Sequence, residues 1–240
     1  MNWLLQYLAH KYKNNVSLIF QNINHFDEKI ENEIKQVKLL YQKYNVNFTN
    51  CYSNIFPIAL NYQEFAFLGF WSIGNIKILD NPHRLYLVAE DNLNEFTKDN
   101  INKLTTQNTI VINGYKSEHK LLQYLIEKQA SIILIHKQGL DKIPANLIAP
   151  NVLHISLYPL FEHTRKKHFK ESNYLSAVLS EKIIIFSTTL ETKINALIEA
   201  FASLNKQAYS FPSDNDNSFN NELIKQGVQL ITFIGECQYV

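Results

Sequence analysis

Residues 169–187, FKESNYLSAVLSEKIIIFS, set a short amphipathic stretch ending at Ser180 directly ahead of a β-branched run, Lys182–Phe186. The run is apolar on both faces, as a strand covered on both sides must be. The same pairing of runs recurs along the chain. Arg84–Ala89 precedes a helical pattern over Asn92–Leu104, and Thr109–Asn113 precedes another over Glu118–Lys128. Ser131–Ile135 and Val152–Ile155 read as strands. After Lys182–Phe186 come Glu191–Leu204, Gln207–Phe211, Asn220–Gln226 and Val228–Phe233, alternately helix and strand. Such alternation predicts a doubly wound, mainly parallel α/β sheet over 84–240.

Residues 1–83 read differently. Trp3, Leu4, Leu5, Tyr7 and Leu8, and later Ile30, Ile34, Val37, Leu40 and Tyr41, fall at helical spacing, with Asp27 placed to cap the second helix. The expectation is a small N-terminal helical segment over 1–83 ahead of an α/β domain over 84–240.

The chain has 240 residues, 46% of them hydrophobic and 19% charged, which suits a buried core and excludes a disordered chain. The formal net charge is only +1, so any polyanion must be met by local charge. The cations are mostly lysines; the arginines are Arg84 and Arg165. Cys51 and Cys237 form no metal motif and fit a reduced compartment. The first residues lack a continuous signal-peptide core, and no segment approaches the roughly 20 apolar residues of a membrane helix. A cytoplasmic protein is expected.

Signals for catalysis are missing. No GxGxxG, Walker, HExxH or GxSxG pattern occurs, and 6 glycines in the whole chain leave little for a phosphate cradle. His154, His163 and His168 match no metal spacing. Nothing pairs a nucleophile with a base. No enzyme activity, cofactor or metal is expected.

Binding chemistry is better represented. Arg165, Lys166, Lys167 and Lys170 crowd the segment before the helix of the opening stretch, with Ser172 read as its cap. A helix N-terminus and lysines together make an anion-binding edge. Phe169 stands among these cations, and an aromatic between cations suits single-stranded nucleic acid.

Several stretches resemble, in order, the DNA-processing protein A (Smf) family. Ile155-Ser156-Leu157-Tyr158-Pro159 is similar to its Ser-Glu-Tyr-Pro strand end. Phe169 to Ser180, with Asn173 retained, is similar to F-P-x-R-N-R-I-I-(A/S)-G-L-S. Gly139-Leu140-Asp141-Lys142 with Pro144 and Asn146 resembles G-L-D-x-x-Y-P-x-x-N. Asn221 to Val228 resembles N-x-L-I-x-x-G-A, and Tyr209–Pro212 its A-V-P turn. Upstream, Ile55–Leu60 followed by Phe65–Phe70 resembles the motifs that open the family's sequence.

The resemblance implies a Rossmann-like fold that binds single-stranded DNA, loads a RecA-type recombinase and works as a homodimer in DNA processing, natural transformation or recombination. This sequence also departs from the pattern. The family's G-S-R loop is replaced by Val88-Ala89-Glu90-Asp91, its S-G-S by Thr188-Thr189-Leu190, and the arginines of R-N-R by Ser172 and Tyr174. Lys116, Lys142, Lys170 and Lys193 are the lysines that stand in as point charges, which bind phosphate without a guanidinium's bidentate geometry. The expected DNA-binding set is Lys116, Lys142, Arg165, Lys166, Lys167, Phe169, Lys170, Asn173 and Lys193. Two alternatives remain open: a family member acting through protein contacts only, and a nucleotide-binding enzyme of similar fold. Thr188-Thr189-Leu190-Glu191-Thr192 lacks the glycines of the phosphoribohydrolase motif P-G-G-x-G-T-x-x-E, which weighs against the second.

Overall fold

The computed structural model describes residues 2–24, 28–61, 66–90 and 93–237. Asp27, Phe65, Asp91 and Asn92 lie outside them. In chain order the regular elements begin with helices α1 (Asn2–Lys11), α2 (Val16–Asn22) and α3 (Glu28–Lys43), then strands β1 (Asn47–Asn50), β2 (Gly69–Ile73) and β3 (Arg84–Ala89). There follow α4 (Glu95–Thr105), β4 (Thr109–Ile112), α5 (His119–Glu127), β5 (Ile132–His136), β6 (Val152–Ser156) and α6 (Lys166–Leu179). The last are β7 (Lys182–Ser187), α7 (Asn195–Ser203), β8 (Ala208–Ser210), α8 (Asn220–Lys225) and β9 (Gln229–Leu230). Among the described residues no helix is long and apolar enough to cross a membrane.

The chain divides into two compact units, Met1–Asp80 with Ile135–Ser172, and Asn81–Leu134 with Asn173–Val240. The division passes through β5 and α6. Residues 135–172, read from sequence together with 84–240, thus group with the N-terminal helices. The reason is apolar: Leu140 and Leu160 share a buried cluster with Leu5, Leu8, Ile19, Tyr41 and Trp71. Leu160 N also donates to Tyr41 Oη at 3.2 Å. Buried Asn14 donates to the carbonyls of Gly69 (2.9 Å) and Leu157 (3.1 Å). The first unit is not purely helical either. Its strands β1, β2 and β6 pair antiparallel, with Phe48 opposite Trp71 and Ser72 opposite Ile155. Of these, β6 is legible in the sequence, while β1 and β2, four and five residues long, are not.

The second unit is the expected parallel sheet. The start of β5 pairs with β4, β4 with β3, β3 with β7, β7 with β8 and β8 with β9, every pair parallel. Counted within this unit, the order is that of the doubly wound dinucleotide-binding folds, and its direction reverses between β3 and β7. Helices α7 and α8 both pack on β7 and β8. The strands are buried throughout their middles, Leu85–Ala89 and Ile183–Phe186 among them, so each reads as a continuous apolar run.

Helix α6 begins at Lys166, well before Ser172, which corrects the expected cap. Ser172 lies inside the helix, where its Oγ donates back to the Phe169 carbonyl at 3.1 Å. At the other end charge is placed with the helix dipole. Lys206 Nζ donates to the carbonyls of Ala177 (2.6 Å), Val178 (3.2 Å) and Ser180 (2.5 Å), and Arg84 Nε to that of Leu179 (2.6 Å).

Candidate functional site

In the first unit the segment from Lys137 to Lys142 and the segment from Pro159 to Lys170 meet backbone to backbone. Gly139 N donates to the Glu162 carbonyl at 2.9 Å. A Cβ on Gly139 would lie 2.4 Å from the Pro159 carbonyl oxygen and 2.8 Å from Phe161 N, so only glycine allows this approach. Phe161 takes a left-handed conformation, φ 67°, costly for a bulky residue and held here by its N–H on Asp141 Oδ1 at 2.7 Å. Its ring stays exposed, with Tyr44 edge-on at 5.6 Å.

The first turn of α6 is anchored by His168, which is buried against the Tyr158 ring, centroids 3.7 Å apart. Its Nδ1 lies 2.8 Å from the Lys137 carbonyl and 3.2 Å from the Arg165 amide nitrogen. Burial lowers the pKa of this imidazole, which leaves it neutral. Around it the cations sort into two groups. Arg165 pairs with Glu162 at 2.8 Å, and the same buried carboxylate takes Lys13 at 2.7 Å. Lys167 pairs with Glu171 at 3.6 Å, which also accepts from Tyr158 Oη at 2.6 Å. Lys142, Lys166 and Lys170 are exposed; Lys142 and Lys166 make no ion pair among the described residues. Phe169 is 43% exposed, with Lys137 Nζ 5.8 Å from its ring centroid.

Cations in the first turn of a helix oppose its dipole, typically at a cost of some tenths of a kcal/mol each. Lys166 and Lys167 stand in that first turn, and Lys170 follows in the next. The residues that sequence reading missed are Glu162, Glu171, Lys137 and Phe161. The i, i+4 spacing of Lys167 and Glu171 could have revealed one pair; nothing local signalled Lys137.

The rest of the expected set lies in the second unit. Asn173 is buried, its Oδ1 accepting from Asn113 Nδ2 (3.0 Å) and Tyr115 Oη (2.5 Å). Ser176 Oγ donates to Asn113 Oδ1 at 2.8 Å. Glu118, also buried, accepts from Tyr86 Oη (2.6 Å) and Tyr115 N (3.0 Å). Gly114, at φ 61°, makes the turn between these groups. Asn173 therefore ties α6 to the Asn113–Tyr115 turn through its Oδ1. Lys116, in the 3-10 turn ahead of α5, and Lys193, in the loop after β7, are both exposed.

One buried pair in the first unit gives a pH dependence. His154 Nε2 is 3.2 Å from the Leu147 carbonyl, so it carries the proton, and Nδ1 accepts from His136 Nε2 at 2.9 Å. A second proton on His154 would set donor against donor, and one on His136 would charge a buried ring. Burial, then the neighbouring His154 and Lys137, push His136 down to about 3, and burial lowers His154. The unfolded chain takes up these protons below about pH 6.5 and the folded chain does not, so stability is complete above that pH and falls as it drops. Urea unfolding at pH 7 and pH 5 is expected to show a loss of roughly 1 kcal/mol per pH unit for such a histidine, with a shallower slope in His154→Gln.

No protein-family model matches the sequence, and no curated protein matches it. Solved structures do. The chain is similar to DNA processing protein A from Helicobacter pylori, a protein with a unique single-stranded DNA binding mode. The TM-score is 0.66 at 21% identity, over 80% of this chain and 94% of that one. It is also similar to DNA processing protein A (DprA) from Streptococcus pneumoniae, with a TM-score of 0.65 at 16% identity, over 97% of this chain and 90% of that one. The likeness establishes the fold: α/β, Rossmann-like and mainly parallel, as the resemblance in sequence implied.

Proposed function

We propose that this chain is a divergent protein of the DNA processing protein A type that binds single-stranded DNA without sequence preference. The observation that carries the reading is the start of α6, where exposed Lys166 and Lys170 flank exposed Phe169. Lysines neutralise the backbone and an aromatic face takes a base. The fold shared with the H. pylori protein supports it. Lys142 belongs to the same unit and extends the cationic surface; Arg165 and Lys167 shape it through Glu162 and Glu171. Lys116 and Lys193 are secondary contacts. The bound strand is handed to a RecA-type recombinase, the working form is a cytoplasmic homodimer, and the chemistry is binding without bond breaking.

A second reading, contacts with protein alone, is favoured by one observation: the carboxylate of Glu90 at the carboxyl edge of β3, where folds of this order usually hold phosphate. A fluorescence-anisotropy titration with labelled oligo-dT decides between them. About three neutralised phosphates give a log–log salt slope near −2. Absence of binding at low salt by folded protein would leave the protein-contact reading.

A further inference from the structure

We propose that the second unit contains an anion seat already filled by the chain's own Glu90, which keeps phosphate away from the sheet's switch point. The seat lies where the order of the sheet reverses, between the carboxyl ends of β3 and β7, the place at which open α/β sheets receive ligands. The register of that strand pair shifts between Val88 and Ala89, so that Ala89 stands opposite Ser187, and Glu90 N continues the ladder onto the Ser187 carbonyl at 3.0 Å. The shift delivers the Glu90 side chain to the segment after β7.

Three donors converge there. Glu90 Oε2 accepts from Thr189 N at 3.0 Å and from Thr189 Oγ1 at 3.4 Å, and Oε1 accepts from Thr192 Oγ1 at 3.0 Å. A backbone amide flanked by hydroxyls is the donor set that loops offer to a phosphate oxygen. The loop is also held in shape. Thr192 N donates to the Thr189 carbonyl at 3.1 Å, and Thr188 Oγ1 to Asn220 Oδ1 at 2.7 Å. Asn220 is fully buried and donates to the carbonyls of Phe186 (3.0 Å) and Phe211 (2.8 Å), which ties the loop to the ends of β7 and β8. The donors therefore stay in place when their acceptor changes. None of the three is charged, so one carboxylate satisfies them and a second anion at contact distance meets only repulsion.

Glu90 is thus a specificity-determining residue. It makes a fold of nucleotide-binding order refuse phosphate monoesters at its usual ligand edge, whichever surface carries DNA. This inference does not depend on the DNA-binding reading.

The test is thermal unfolding and calorimetric titration of Glu90→Ala against wild type, with inorganic phosphate as the probe and chloride at matched ionic strength. Wild type is expected to show no saturable phosphate binding. Glu90→Ala is expected to melt lower and to be restored saturably by phosphate, binding it roughly tenfold or more tightly than wild type does. Should alanine prevent folding, Glu90→Ser, which vacates the seat but keeps a hydroxyl, is expected to behave alike. A folded variant indifferent to phosphate, or a wild type that phosphate stabilises equally, would overturn the proposal.

Discussion

Replacing Lys142, Lys166 and Lys170 together by alanine is expected to weaken oligo-dT binding by about 100-fold at 0.1 M salt and to flatten the salt slope by about 2. The size follows from counterion release. Each lysine–phosphate contact on a single strand contributes about 0.7 to the slope, or roughly fivefold in affinity at 0.1 M. Stability is read on Lys142→Ala with Lys166→Ala. Lys166 lies in the first turn of α6, where a cation works against the dipole, so this variant is expected to be as stable as wild type or a few tenths of a kcal/mol more so. Arg165→Ala and Lys167→Ala should show the reverse balance. Their partners Glu162 and Glu171 are nearly buried, and losing the cation leaves a carboxylate short of a partner, so stability suffers more than affinity. Anisotropy titrations at several salt concentrations, paired with urea unfolding, separate the two groups. Equal loss of binding in both would mean that the cations act as an undifferentiated cloud.

The second large effect concerns the scaffold. Glu118→Ala is expected to lower the unfolding free energy of the protein by about 2–5 kcal/mol, because it strands the Tyr86 hydroxyl and the Tyr115 amide in the interior. The Tyr86 hydroxyl is itself an acceptor for Asn113 N at 3.1 Å, so the loss spreads to Asn113, Asn173 and Ser176. Burial, followed by the adjacent Glu118 carboxylate, holds the Tyr86 phenol far above its ordinary pKa, and it serves as a donor at any working pH. Glu118→Gln should cost less, since one amide oxygen still accepts while the amide nitrogen opposes the remaining donor. Urea titration of both variants checks the order. A loss below about 1 kcal/mol in the alanine variant would show that the network is dispensable.

How legible was all this beforehand? Strands β3, β4, β5 and β7 are plain in the sequence because their middles are buried on both faces. Arg84–Ala89 was bounded to the residue. The start of α6 was misplaced because Ser172 resembles a cap, while the contact that fixes the first turn, His168 on Tyr158 and Lys137, is tertiary. For the same reason the assignment of 135–172 to the first unit could not be read from local pattern; Leu140 and Leu160 look like any core leucine until their neighbours are known. Of the site, the charge and the aromatic were visible. Not legible was that Arg165 and Lys167 are held by Glu162 and Glu171. Asn173 was noticed for its likeness to a family motif, and the structure gives it a buried role in orienting α6. Glu90 reads in sequence as an acidic replacement in a loop, but its three donors come from residues 99 and 102 positions later.

The most direct test of the central claim is photocrosslinking of the wild-type protein to oligo-dT carrying 5-iododeoxyuridine, with the crosslinked peptides mapped by mass spectrometry. Crosslinks on the segment 161–170, at Phe169 and Phe161, are the predicted result. Crosslinks confined to the segment 187–193 beside Glu90, with none on 161–170, would contradict it.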